Sequence, residues 1–371
     1  MNNAVAIVGA GIVGAACART LALAGLRVVI IDRAIGGGAT AAGMGHITVM
    51  DDSEAQFVLT RYSQSLWTQL SPELPADVEF VTTGTLWVAA DDEEMAAVQQ
   101  KHSYYQARGV VTEVLDGNQV ARCEPNLRPG FAGGLRVPGE SVIYPPLAAV
   151  WLIKQALACS ADVRLGVSVL HCDNTTLHLS DGSAVTCGAI VHATGVGADA
   201  LAPGVPIRPR KGHLVITDRY PGFARQQIVE LGYLKSAHGS DRDSVAFNLQ
   251  PRKTGQMLLG SSRQYDTTDP SIEPVMLRRM INRALEYMPS LRGLSAIRTW
   301  TGFRAATPDS LPLIGPTAKP GHFLATGHEG LGITTALGTA DLIVSHLTGR
   351  PFAIAPEPYL PTRFARSASH G

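Results

Sequence analysis

The residues in this chain best placed to do chemistry are a set of glycines and one acid. Residues 5–14 read Val-Ala-Ile-Val-Gly-Ala-Gly-Ile-Val-Gly, and Asp32 closes the next apolar run. Between a strand and a helix, such a Gly-x-Gly-x-x-Gly turn gives each glycine a task. Gly9 permits the tight turn, Gly11 admits a pyrophosphate against backbone, and Gly14 lets the helix pack close to the strand. The helix that starts there aims unbonded N–H groups and the positive end of its dipole at phosphate. Asp32, eighteen positions after Gly14, is placed to accept hydrogen bonds from a ribose. Strand, turn, helix, strand and acid in register therefore point to a bound dinucleotide. A second run, Gly36-Gly37-Gly38-Ala39-Thr40-Ala41-Ala42-Gly43-Met44-Gly45-His46, has little side chain to fill space. It suits a flat ligand lying against backbone.

The elements that must position these residues follow from hydrophobic period and punctuation. Ala4 to Val8 and Arg27 to Ile31 read as buried parallel strands. Asp51 to Leu70 reads as a helix, with Ser53 as its cap and Pro72 and Pro75 beyond its end. Strands are expected at Glu79 to Val81 and Thr85 to Ala89, and helices at Asp92 to Ala107 and Leu147 to Ala158. Val163 to Leu170, Thr176 to Leu179 and the continuous apolar run Ala189 to Ala193 return to strand. Ile207 to Thr217, Val229 to Leu234, Val245 to Leu249 and Met257 to Ser261 read as an antiparallel sheet, with Lys253-Thr254-Gly255 turning one hairpin. Helices at Met276 to Met288 and Ile333 to Leu347 flank a last strand, Phe323 to Thr326. The expected fold is α/β, or α+β overall. A Rossmann-like nucleotide domain (1–75, 141–206 and 301–371) is interleaved with an antiparallel β-rich substrate domain (76–140 and 207–300).

Composition narrows the class. The chain has 371 residues, is 45% hydrophobic and 17% charged, and carries a formal net charge of zero, which suits an ordinary globular protein of two domains. It has no long basic run, which argues against nucleic acid as a partner. The apolar start has no positive leader and is interrupted by Arg19 and Arg27, so neither a signal peptide nor a membrane span is expected. The expected location is the cytoplasm, with any inner-membrane association peripheral and through a partner. Cys17, Cys123, Cys159, Cys172 and Cys187 form no C-x-x-C pair, so no metal, cluster or disulfide framework is expected.

With the fingerprint, five further pieces resemble one family. They are Thr40-Ala41-Ala42-Gly43-Met44; Gly166-Val167-Ser168-Val169; Ile190-Val191-His192-Ala193-Thr194-Gly195; Gly302-Phe303-Arg304 with Pro308-Asp309; and Ala325-Thr326-Gly327-His328-Glu329-Gly330-Leu331-Gly332. The chain resembles, over nearly its whole length, the FAD-dependent oxidoreductases of the D-amino acid oxidase type. The resemblance implies FAD along Gly9, Gly11, Ile12, Val13, Gly14, Asp32, Arg33, Ala39, Thr40, Ala42, Gly43, Met44, Val169, Thr194 and Gly195. It continues along Gly327, His328, Gly330, Leu331, Gly332, Ile333 and Thr334, where a helix start faces the flavin carbonyl edge. No cysteine lies near Phe303, so the FAD is expected to be non-covalent.

The chemistry implied is hydride transfer from a substrate Cα–H to flavin N5, giving an imine. Arg304 matches the family position for a substrate carboxylate, a task a guanidinium performs bidentately. Asn248, Arg263, Met44, His46 and Tyr233 are the other expected site residues, with His213 a weaker candidate. Gly330 stands where glycine oxidases carry a second arginine. The turn at 327–332, with Val142-Ile143-Tyr144-Pro145-Pro146, resembles the flavoprotein subunits of bacterial D-hydroxyproline dehydrogenases. Those resemble opine oxidase, L-proline dehydrogenase and hydrogen cyanide synthase subunits. A dehydrogenase of a D- or secondary amino acid, cis-4-hydroxy-D-proline foremost, with partner subunits taking the electrons, is the resulting expectation. An oxygen-using glycine, sarcosine or D-amino acid oxidase, a nicotinamide-dependent dehydrogenase and a non-catalytic flavoprotein subunit are the alternatives.

Overall fold

Ala4–Val8 is apolar and almost wholly buried, because it is the middle of a sheet covered on both faces. It pairs in parallel with Arg27–Asp32 on one side and Ala189–His192 on the other. The computed structural model describes residues 4–198, 204–232, 243–265 and 267–364. The sheet runs Leu313–Pro316, His322–Thr326, Ala189–His192, Ala4–Val8, Arg27–Asp32, Asp162–Leu165, and only its first pair is antiparallel.

One face is covered by helices. Ile12–Leu23 packs against Gly332–Thr348 and Pro145–Ala158, and Gly332–Thr348 packs in turn on Glu54–Leu70. Small residues make this closeness possible: a Cβ on Gly338 would fall 2.3 Å from Ser63 Oγ on the neighbouring helix. Trp67 is fully buried there and donates to the Ile333 and Thr334 carbonyls at 3.1 and 3.0 Å. The Ser53 hydroxyl accepts from Gln56 N–H at 3.1 Å, so the expected cap is present. The other face is covered by a small sheet of Val169–Asp173, Thr176–Leu179 and Ala184–Thr186, which presents Leu177 and Leu179 to Ala6, Val8 and Ile190.

The second layer is an eight-stranded sheet. Its order is Ala296–Ala306, Arg208–Arg219, Gln256–Arg263, Ser244–Pro251, Gln227–Glu230, Thr85–Ala89, Gly133–Val137, Glu113–Asp116. It is antiparallel except where Gln227–Glu230 meets Thr85–Ala89 in parallel. Helix Pro274–Tyr287 buries Met280, Ala284 and Tyr287 against it.

Three local expectations differ from the structure. Val163 to Leu170 is two strands, because Gly166 turns at φ +77 between Asp162–Leu165 and Val169–Asp173. Glu79 to Val81 is not a strand: Glu79 is left-handed at φ +53, and Val81 forms only an isolated bridge to Val142. The strand Ala296–Ala306 runs through the expected boundary at 300, so residues 301–306 belong to the eight-stranded sheet. No helix among the described residues is long and apolar enough to cross a membrane.

The first turn gives a test of close packing. A Cβ on Gly14 would stand 1.9 Å from the Gly9 carbonyl oxygen, a backbone atom that no rotamer change relieves. Gly14→Ala is expected to destabilise the protein by about 1–3 kcal/mol, the usual range for overpacking. Thermal unfolding would show it, and an unchanged Tm would contradict the close approach.

Candidate active site

Where the two layers face each other they leave a cleft of about 830 Å³. Of the residues expected to hold the cofactor, all but Gly14 and Thr334 line it. Gly14 lies behind the turn, against Gly9. The Thr334 hydroxyl donates to the His46 carbonyl at 3.0 Å and is approached by Thr48 N–H at 3.3 Å, tying the last helix to the strand His46–Ile47. Arg304, Arg263, Asn248, Met44 and His46 also line the cleft. Tyr233 lies outside the described residues. His213 is buried outside the wall, with Nδ1 2.9 Å from Ser262 Oγ and Nε2 accepting from Glu273 N–H at 3.0 Å.

The nucleotide end is a cradle of backbone. Gly9 turns at φ +110, and a Cβ there would lie 2.4 Å from the Ala193 carbonyl oxygen. The Thr40 hydroxyl accepts from Ile12 N–H at 2.9 Å, fixing the small-residue loop over the start of the first helix. Asp32 closes the turn from the other side: Oδ2 accepts from Ala10 N–H and Oδ1 from Arg33 N–H, both at 2.6 Å. A carboxylate has capacity for further donors beyond these two. Thr194 Oγ1 is buried in the cleft wall without a hydrogen-bond partner in the protein. A buried hydroxyl of that kind calls for a partner from a ligand. The bare glycine lining and this hydroxyl fit an extended dinucleotide.

The other end is charged. Arg304, on Ala296–Ala306, is held by donation from Nη1 to the Ser262 carbonyl at 3.0 Å. It lies across Gly212, where a Cβ would be 2.7 Å from Nη1. Cross-strand register places Arg210 opposite Arg304, and Arg210 pairs with Glu329 from the glycine-rich turn. Met44 follows Gly43 on the facing loop, and its carbonyl accepts from Gln250 at 2.7 Å. Asn248 accepts from Gln227, which orients its amide.

Two groups in or behind the wall are protected from water. His328 is 8% exposed; burial pushes it down to about 3, and Nε2 lies 2.9 Å from Thr339 Oγ1, so the ring is neutral. Glu140 is fully buried. Burial pushes its carboxyl up, but hydrogen bonds from His46, Thr48 and Thr85, with the His46 charge, hold it below the ordinary carboxylate range.

Arg210, Glu329, Gly212 and Glu140 were not singled out from the sequence. Period-2 alternation could have suggested that Arg210 shares a sheet face with Gly212, but only pairing to Ala296–Ala306 puts that face beside Arg304. Away from the cleft, His171, Asp173 and His178 gather on the exposed side of the small sheet. That grouping depends on His178 lying opposite His171 in register.

The chain matches the model of the DAO family, FAD dependent oxidoreductase, over residues 4–346. It is 27% identical over 385 residues to glycine oxidase of Pseudomonas putida, covering 97% of this chain and 99% of that one. It is 27% identical over 424 residues to hydrogen cyanide synthase subunit HcnC of Pseudomonas aeruginosa, covering 97% and 96%. The crystal structure of L-proline dehydrogenase from P. horikoshii superposes with a TM-score of 0.89 at 24% identity, covering 99% and 98%, and so shares the fold. The chain belongs to the DAO family of FAD-dependent oxidoreductases.

The neutral His328 predicts a pH dependence of stability. A histidine is near 6.5 in the unfolded chain, and His328 sits at about 3 when folded. Its neutral form therefore contributes stability that is complete above about pH 6.5 and declines as pH falls toward 3. At pH 7.5, His328→Gln is expected to be less stable than the parent. Between about pH 7.5 and pH 5 that disadvantage should shrink by about 2 kcal/mol. Denaturant unfolding of both proteins isolates this group, and a pH-independent gap would refute the assignment.

Proposed function

We propose that the chain is a dehydrogenase that oxidises the Cα–N bond of an amino acid to the imine. The observation that carries this reading is Arg304, set across Gly212 in the cleft beside the glycine-rich turn 327–332. A guanidinium held by a backbone carbonyl is a fixed fork for a carboxylate. Non-covalent FAD along the glycine cradle would supply the hydride-accepting chemistry. Gly9, Gly11, Thr40, Asp32 and Thr194 would hold its nucleotide, and Gly327 to Ile333 would surround its reactive end. Arg304 would orient the carboxylate, with Arg263, Asn248, Met44 and His46 around the side chain and amine. Cis-4-hydroxy-D-proline, or another D- or secondary amino acid, is the favoured substrate.

The bias toward a dehydrogenase rests on the resemblance of the 327–332 turn to flavoprotein subunits of multi-chain enzymes. The relative named as a hydrogen cyanide synthase subunit supports the same setting. Electrons would leave to a partner chain or the respiratory chain, from a cytoplasmic or inner-membrane-associated complex.

The purified protein is expected to be yellow and to release FAD on denaturation. Anaerobic mixing with cis-4-hydroxy-D-proline should bleach the flavin, and turnover should be faster with an artificial dye than with oxygen. Stoichiometric peroxide at an equal rate would make it an oxidase. Absence of bleaching with D-, L- and N-alkyl amino acids would remove the amino-acid reading. Arg304→Ala is expected to lower kcat/KM by about 100-fold, roughly the loss of a charge-assisted bidentate pair. Flavin content should stay unchanged, and unaltered kcat/KM would mean that Arg304 is not the anchor.

A further inference from the structure

The residue beneath His46 carries a mechanistic consequence. The His46 side chain is 15% exposed in the cleft wall, and its Nε2 is turned back into the protein. There it lies 3.3 Å from Glu140 Oε2 and 2.7 Å from Thr85 Oγ1. Glu140 itself is wholly buried. Its Oε1 accepts from the Thr48 hydroxyl at 2.6 Å and from Val49 N–H at 2.9 Å. The arrangement comes from the backbone: His46–Ile47 pairs antiparallel with Ser141–Val142, so Glu140 ends beside the strand that carries His46. Gly45 lets the strands meet, since a Cβ there would be 1.9 Å from the Ile143 carbonyl oxygen.

Nε2 hydrogen-bonds with Thr85 Oγ1 and stands at ion-pair distance from a carboxylate that can only accept, so a proton on Nε2 suits both neighbours. With that proton on Nε2, the neutral form of the ring carries its lone pair on Nδ1. An ionised carboxylate is expensive to bury, and a neutral amide would suffice for a strut. Kept ionised behind an imidazole, it both orients the ring and stabilises the imidazolium that forms when the ring takes a proton.

We propose that His46 is the base that takes the proton from the substrate ammonium, with Glu140 as its positioning residue. This rests on the amino-acid reading above. In the step, one substrate N–H bond breaks and a Nδ1–H bond forms. The electron pair stays on nitrogen, where it supports hydride departure from Cα, and no electron is transferred in the proton step itself. The positive charge moves from substrate to imidazole, opposite Glu140. Besides Asp32 and Arg33 at the dinucleotide turn, the charged groups lining the cleft are Asp52, Arg210, Arg263, Arg304 and Glu329. Thr85 and Thr334, the partners of His46 from neighbouring elements, are uncharged.

The test uses the flavin-loaded full chain. Anaerobic flavin reduction by cis-4-hydroxy-D-proline, or by whichever amino acid bleaches the parent, is followed from about pH 6.5 to roughly pH 10, where more amine is already free. His46→Gln, which retains a donor toward Glu140, is expected to slow reduction about 100-fold near pH 7.5. It should recover to within about 10-fold of the parent near pH 10, as solution deprotonation replaces the base. Glu140→Gln should slow reduction about 10-fold near pH 7.5. Independently of turnover, 15N NMR of the ring should find neutral His46 protonated on Nε2. A His46→Gln rate that is unchanged, or reduced equally at every pH, overturns the proposal, as does an Nδ1-protonated ring. If no amino acid bleaches the parent flavin, the underlying substrate reading falls, and this assignment with it.

Discussion

The structure depends on close approaches that only a residue without a side chain permits. The first turn closes on Ala193 through Gly9, the loop 39–43 presses on the last helix through Gly43, and the eight-stranded sheet reaches that loop through Gly302. A Cβ at these three positions would fall 2.4 Å from the Ala193 oxygen, 2.7 Å from Ile333 and 2.3 Å from Ala42. Each contact joins segments far apart in sequence, and together they set the width of the cleft. A slot lined this way has carbonyls, N–H groups and small apolar surfaces on its walls. It suits a long, flat, phosphate-bearing molecule better than a compact one.

Charge is distributed unevenly along that slot. The nucleotide end has Asp32 and a helix start, so it offers donors to phosphate and acceptors to sugar. The opposite end concentrates Arg210, Arg263 and Arg304, with Glu329 paired to Arg210. Arg304 is steered by one carbonyl and by the absence of a side chain at Gly212. His328, within the same turn as Glu329, stays uncharged because it is buried. A positive charge there would be poorly solvated. Glu140 supplies the reverse case, a charge kept inside because several donors converge on it.

The fingerprint, the small-residue loop and the 327–332 turn could be read from the chain because each is local. A turn that needs glycine at fixed spacing is written in consecutive residues. The principal helices were readable for the same reason, and one cap fell where Ser53 stands. What could not be read has two causes. The break at Gly166 and the loss of a strand at Glu79 are local turns inside runs that still look like strand. The parallel pairing of Gln227–Glu230 with Thr85–Ala89 is non-local, and no pattern within either strand announces it.

What the sequence determined by itself was the dinucleotide turn, the order of the main elements and the family, because glycine spacing and apolar period are properties of contiguous chain. Tertiary structure alone decided which charges share the cleft. Arg210 becomes the neighbour of Arg304 through strand register, Glu140 the partner of His46 through a two-residue sheet, and Gly212 the floor beneath a guanidinium. These relations depend on cross-strand alignment, and a shift of one residue would turn each side chain to the opposite face.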